Sequence, residues 1–184
     1  KDRLFALIAE LRLPVILFAE GGGGRPGDTD SSGVTGLHTM AFALFGQLSG
    51  LVPMIGITSG YCFAGNAALL GCCDVIIATE NSNIGMAGPA MIEGGGLGQV
   101  AATDIGPIDI QTKNGVVDIR VADEAAAVAA AKKYFNYFAQ ARVTARPGNE
   151  MALRDVVPEQ RTRIYDVRQA IEAVADSGQF LELR

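Results

Sequence analysis

Two glycine-rich stretches carry most of the chemical potential of this sequence. FAEGGGGRPGDTD (residues 18–30) sets Gly21, Gly22, Gly23 and Gly24 directly after the apolar run Pro14-Val15-Ile16-Leu17-Phe18, and then adds Arg25. GYCFAGNAALLG (residues 60–71) puts Ala64, Gly65 and Asn66 where a small-residue helix begins. Glycine costs conformational entropy, so such runs mark a positive φ or a backbone that something approaches closely. One use of bare backbone is to donate N–H groups to a developing oxyanion. Loops at the carboxyl ends of neighbouring parallel strands can aim amides at one point. The first-turn N–H groups of a helix lack a partner within it, which suits the stretch at Ala64 and Gly65. Gly23 and Gly24 are the candidate second donors. The competing reading is structural, with Asn66 as an N-cap and Gly65 allowing close helix–strand packing.

Other chemistries fit less well. Gly22 to Gly27 matches G-x-G-x-x-G, but Pro26, Asp28 and Asp30 read as continued loop and no acidic residue follows about 20 positions on. No Gly-Lys-Ser/Thr follows for a phosphate-cradling loop. The lone His38 lies in an apolar helical stretch and completes no Ser/His/Asp set. Glu93, before Gly94-Gly95-Gly96, is either a general acid or base or a solvated loop carboxylate. Arg25 could meet a phosphate or carboxylate, or anchor its loop through an ion pair. Catalysis here would therefore rest on backbone electrostatics, with the base supplied from elsewhere.

The frame for these loops is a chain of 184 residues, 49% hydrophobic, with 23 glycines, no tryptophan and a formal charge of −5. That composition suits a globular α/β protein with small residues at tight crossings. The acidic balance disfavours a nucleic-acid partner, and the absence of an apolar run near 18 residues predicts no membrane span. Cys62, Cys72 and Cys73 form no C-x-x-C pair, so no metal is expected and the reading is three buried thiols in a reducing, cytoplasmic setting. The pattern predicts a helix at about 3–12 with a Leu4, Leu7, Ile8, Leu11 stripe, and strands Val15–Ala19, Met54–Thr58, Val75–Ala78 and near Asn83–Gly85. Residues 36–49 read as a deeply packed apolar helix, and 60–71 as a turn and helix closed by Gly71 as the C′ residue. Helices are also expected at 123–141 and 164–178. Alternating strands and helices predict a parallel sheet with right-handed crossovers. An opening directly on a helix suggests a fragment.

FAEGGGGRPGD is similar to the strand and Gly-Gly-Ala-Arg loop of the biotin-dependent acyl-CoA carboxyltransferases. PMIGITSGYCFAGNAALLGCCDVIIATENSNIGMAGP, TKNGVVDIRVADEAAAVAAAKKYFNYF and LRDVVPEQRTRIYDVRQAIEAVADSGQFLEL resemble, in order, that family's later segments. Gly21 and Gly24 replace its usual Ser and Ala, and Ala64 stands where it often has Gly. The resemblance implies a crotonase-like (ClpP/crotonase) α/β fold, a parallel sheet spiral with flanking helices. It implies the later part of an N-terminal carboxyltransferase domain over 1–141, a linker over 142–163 and the opening of a C-terminal domain over 164–184.

The activity implied is transfer of CO2 from carboxybiotin to the α-carbon of an acyl-CoA, the enolate being held by backbone amides. In that family the acyl-CoA hole lies at a Gly-Gly pair that Ala64 and Gly65 match by position. The biotin hole lies in the second domain. Arg25 and Asn66 are the expected substrate-binding residues. Biotin is expected on a separate carrier domain, so neither Lys132 nor Lys133 should bear it. The implied partners are acyl-CoA, biotin carboxyl carrier and biotin carboxylase domains or subunits, and further copies of the chain. The rivals are a crotonase-fold enoyl-CoA hydratase or acyl-CoA decarboxylase using Glu93, and a noncatalytic assembly module.

Overall fold

The computed structural model describes residues 1–21, 40–139, 149–176 and 179–183 of the chain. They fall into two compact units, Lys1–Phe138 with Leu183–Arg184, and Ala139–Glu182.

Three apolar runs of the first unit become the core of a parallel sheet: β1 (Val15–Phe18), β2 (Met54–Thr58) and β4 (Val75–Thr79), with the short β6 (Ile119–Val121) at the far edge, in the order β1-β2-β4-β6. Every residue of β2 and β4 is buried, as expected of central parallel strands covered on both faces. Alternation then assigns the faces. Ile55, Ile57, Val75 and Ile77 pack against Ala127 and Ala131 of α6 (Glu124–Asn136). On the other face, Ile76 and Ala78 join Ala67 and Leu70 of α3 (Gly65–Leu70). Gly56 lies on that second face, and a β-carbon there would collide with Leu70 Cδ1 and come within 3.3 Å of Cys73 Sγ. Its missing side chain is what lets α3 close onto the sheet.

A smaller parallel sheet pairs β3 (Tyr61–Phe63) with β5 (Asn83–Gly85). The chain thus steps from the large sheet to the small one twice by the same move, β2 to β3 and β4 to β5. Each step is followed by a helix, α3 or α4 (Pro89–Gly94). Between α4 and β6 lies α5 (Ile108–Lys113). Carboxylates fix the start of each central strand: Asp74 Oδ2 accepts from the Met54 N–H at 2.8 Å and Asp118 Oδ2 from the Ile76 N–H at 2.8 Å.

Several local expectations differ from the structure. In α1 (Asp2–Leu11), Phe5 and Ile8 are buried while Leu4, Leu7 and Leu11 are exposed, because Phe5 packs on Phe45 with ring centroids 5.1 Å apart. Within the described residues α2 spans Ala41–Gly46, and only one side of it is core: Ala41 and Phe45 are buried, whereas Met40 and Phe42 are exposed. Gly71 ends α3 at φ −66°, right-handed rather than the left-handed C′ geometry expected. β3, α4, α5 and β6 went unpredicted. α6 is capped by Asp123, whose Oδ1 accepts from the Ala126 N–H at 2.8 Å. Cys62 is buried as expected, but Cys72 and Cys73 are only half-buried.

The second unit holds α7 (Leu153–Val156) and α8 (Val167–Val174). Asp166 caps α8 by accepting from the Arg168 N–H at 3.0 Å, and the Arg168 guanidinium pairs with Glu182. The amphipathic α8 buries Ala173 while Val167, Ile171 and Val174 stay exposed.

Candidate functional site

The two glycine-rich stretches leave the sheets at one place. After β1 the chain crosses to the small sheet at Gly21, which forms a parallel bridge with Cys62. The Gly21 N–H donates to the Tyr61 carbonyl at 2.7 Å, and the Phe63 N–H donates to the Gly21 carbonyl at 3.0 Å. Gly21 has φ +143°, and a β-carbon on it would run into Asn66 Nδ2. That amide nitrogen instead donates to the Glu20 carbonyl at 3.0 Å. Asn66 is therefore not the N-cap of α3; it ties the helix start to the root of the first loop. Gly23, Gly24, Arg25, Asp28, Asp30 and His38 lie outside the described residues.

Ala64 makes the turn from β3 into α3 at φ 55° and ψ −123°, a region that normally requires glycine. Its N–H donates to the Gly85 carbonyl at 3.0 Å, and its carbonyl accepts from the Ala68 N–H at 3.0 Å. The Ala64 amide is thus engaged in the small sheet. The N–H groups of Gly65, Asn66 and Ala67 form the unpaired first turn of α3 and donate to no other described residue. Phe42 leans over this point: its Cζ and Cε1 lie 3.0 and 3.5 Å from where a β-carbon on Gly65 would stand.

A polar network that sequence reasoning missed ties the β2–β3 turn to the end of β4 and the start of α6. Ser59 Oγ donates to Glu124 Oε1 at 2.6 Å, Thr79 Oγ1 lies 3.1 Å from Ser59 Oγ and also meets Asn81, and Ser82 Oγ donates to the Thr58 carbonyl at 3.0 Å. The Ser59 hydroxyl is the chief reason the Glu124 carboxyl sits below its ordinary range. Arg120 joins Glu80 and Asp109, and its hydrogen bond draws the Glu80 carboxyl down in the same way. Burial pushes the Cys62 thiol up to about 11, partly offset by the Thr58 hydroxyl. Burial likewise pushes the Cys73 thiol up to about 12. Both shifts keep these thiols protonated at neutral pH, which disfavours a nucleophilic role.

Glu93 is exposed on α4 and accepts from Gln99 Nε2 at 2.8 Å, an ordinary surface contact. Lys132 and Lys133 are exposed within α6. A cavity of about 530 Å³ is lined by residues including Tyr61, Asn81 and Asp109, and another of about 480 Å³ by residues including Asp74, Tyr134 and Phe138. Neither is lined by Ala64, Gly65 or Asn66. Among the described residues no group of three or more His, Cys, Asp or Glu could hold a metal ion, and no helix is long and apolar enough to cross a membrane. What the arrangement offers chemically is N–H donors without a partner among the described residues, at a strained turn beside an aromatic ring.

Comparison with known proteins gives the family and the fold. The family model described as the carboxyl transferase domain matches residues 3–184, and the chain belongs to that family. The methylmalonyl-CoA carboxyltransferase 12S subunit of Propionibacterium freudenreichii subsp. shermanii is 30% identical over 180 residues, covering 93% of this chain and 34% of that subunit. A solved single-chain, multi-domain long-chain acyl-CoA carboxylase superposes with a TM-score of 0.91 at 56% identity, over 99% of this chain and 18% of that one. The transcarboxylase 12S hexamer, solved with methylmalonyl-CoA bound, gives a TM-score of 0.81 at 26% identity, over 99% of this chain and 37% of that one. The chain thus spans between 18% and 37% of the length of these three relatives. Its fold is the crotonase-like fold of those carboxyltransferases.

Proposed function

We propose that this chain supplies the acyl-thioester side of a biotin-dependent acyl-CoA carboxyltransferase. The observation that carries the reading is the Gly65 N–H at the start of α3, which has no partner among the described residues and is presented by the strained Ala64 turn in a chain of the carboxyl transferase family. A thioester carbonyl placed on that amide gains negative charge as its α-proton leaves. A fixed donor at the positive end of a helix stabilises the enolate more than the ground state. Gly23 or Gly24 would add a second donor from the first loop, Arg25 would meet a phosphate or carboxylate of the substrate, and Asn66 would fix the distance between the loops. Carboxybiotin on a separate carrier domain would supply the CO2. The protein's own task is to hold and orient the thioester, which asks for amides rather than a side-chain base.

The long-chain carboxylase at 56% identity favours a long acyl group as substrate. A biotin carboxylase and a carrier are the partners this chemistry needs, and the hexameric transcarboxylase 12S favours assembly into an oligomer. Free thiols at Cys62, Cys72 and Cys73 suit a cytoplasmic setting. No observation favours Glu93 as an acid or base over this reading.

Gly65→Val in the complete enzyme is the test. Its side chain would occupy the space between Gly65 and Phe42, and the enzyme should lose 100-fold or more in kcat while staying folded, the scale for one oxyanion donor. A destabilised variant with undiminished turnover per folded molecule would make Gly65 a packing residue and remove the hole from this turn.

A further inference from the structure

The cavity of about 480 Å³ shares no lining residue with the turns at Gly21 and Ala64, and its volume is that of a small-ligand site. Its lining is the segment 50–53 together with Asp74, Tyr134 and Phe138. The two rings stand at the carbonyl end of α6, with centroids 5.2 Å apart and planes tilted by 54°. Asp74 is the only charged residue among the described ones that line the cavity. Its Oδ2 is occupied by the Met54 N–H, while Oδ1 has no hydrogen bond and the carboxylate no ion pair among the described residues. Burial, and after it the Asp74 carboxylate, raises the Tyr134 phenol above its ordinary range, so the charge is felt at the rings. The helix end adds partial negative charge there. Arg12 approaches from outside the lining, its Nη1 donating to the Leu51 carbonyl at 3.4 Å. The cavity of about 530 Å³ differs, because its Glu80 and Asp109 carboxylates are already joined to Arg120. An anion in the smaller cavity would meet an unanswered carboxylate, and a neutral hydrocarbon would use the rings alone. A cation uses both, since carboxylate and aromatic faces attract it together.

We infer that this cavity is a binding site for an aliphatic organic cation, an alkylammonium whose charged head lies against Asp74 and the rings of Tyr134 and Phe138 with its hydrocarbon on Leu51 and Pro53. The inference is independent of the function proposed above. A cation on an exposed ring gains about two- to fivefold in binding, and an exposed ion pair contributes about as much. The charged head is therefore worth about tenfold over a neutral group of the same shape.

The experiment titrates the complete enzyme with n-butylammonium and with the neutral isostere 1-pentanol, read by saturation-transfer NMR of the ligand. The ammonium should bind about tenfold more tightly than the alcohol. Asp74→Asn, which keeps an acceptor for the Met54 N–H, and Phe138→Leu, which keeps an apolar wall without a ring, should each cut that preference by about two- to fivefold. A preference for the ammonium below about twofold overturns the inference, and so does a preference that neither variant lowers. If Asp74→Asn fails to fold, Phe138→Leu decides on the same preference. N-acetyl-lysine N-methylamide separates the two sources of such a head. Binding equal to that of n-butylammonium assigns the cavity to a basic side chain of another protein, and weaker binding assigns it to a free amine, the charge preference being kept in both.

Discussion

Replacing Ala64 with glycine should make the protein more stable, although glycine normally loosens a chain. Ala64 stands at φ 55° and ψ −123°, where an L side chain is strained by about 1–3 kcal/mol. Glycine releases that strain and costs about 0.5–1 kcal/mol through the greater freedom of the unfolded chain. The net expectation for Ala64→Gly is a gain of about 1 kcal/mol, or about 3 °C in Tm for a chain of this size. The hydrogen bonds to Gly85 and from Ala68 use backbone atoms, so the substitution leaves them in place. Urea unfolding of wild type and Ala64→Gly should show a higher midpoint with the same slope. Ala64→Val should fall well below wild type, since a β-branched residue tolerates a positive φ least. A midpoint that drops in Ala64→Gly would mean that the methyl group stabilises by packing more than the backbone loses by strain, and the turn could not be described as holding stored energy.

Two further expectations test the frame around the site. Asp74→Ala removes the acceptor of the N–H of fully buried Met54 and should cost about 1–3 kcal/mol in urea unfolding, with Asp74→Asn losing less; an unchanged midpoint would show that β2 is registered by other means. Cys62, with its thiol raised from 9.0 to about 11, should alkylate with iodoacetamide at pH 8 about 100-fold more slowly than an unperturbed thiol from ionisation alone, and labelling at an exposed thiol's rate would contradict its burial. The sign of the linkage follows: the stability contributed by the neutral, buried Cys62 is complete below the ordinary thiol value of 9.0 and is lost as pH rises through about 11.

The central strands were legible because their burial leaves a mark in composition. Met54–Thr58 and Val75–Thr79 are apolar through their length, and a strand covered on both faces needs no alternation. β3 and β6, each of three residues, carry too little sequence for any period to show, and Tyr61-Cys62-Phe63 between two glycine-containing turns reads as part of the turn. The six-residue α4 and α5 were missed for the same reason, with Pro89 and the glycines after Glu93 reading as loop. In α2 the composition misled. Phe42 and Phe45 look alike in sequence, but only Phe45 is core, since the side of the helix carrying Phe42 faces Gly65. Of the site, Gly65 was legible as a helix start. The engagement of the Ala64 amide by Gly85 was not, because it depends on β3 and β5 being neighbours. The Ser59–Glu124 contact joins residues 65 positions apart and leaves no local trace.

That division has a physical basis. A side-chain site announces itself by residue type, whereas a site made of backbone N–H groups is specified by where the chain turns. At Ala64 the turn is held on every side. The Gly21 and Tyr61 backbones pair before it, the Ala64 N–H binds Gly85, the Ala64 carbonyl starts α3, and Asn66 reaches back to Glu20. These bonds over-determine the conformation, so even a residue other than glycine is kept at a positive φ. With Ala64 so constrained, the first donor of α3 is held in place, and in the function proposed above it would need no reorganisation as charge develops on a thioester. Such a donor survives replacement of most side chains around it as long as the strand-to-strand steps are kept. Agreement in fold at a TM-score of 0.81 with only 26% identity is what that arrangement leads one to expect.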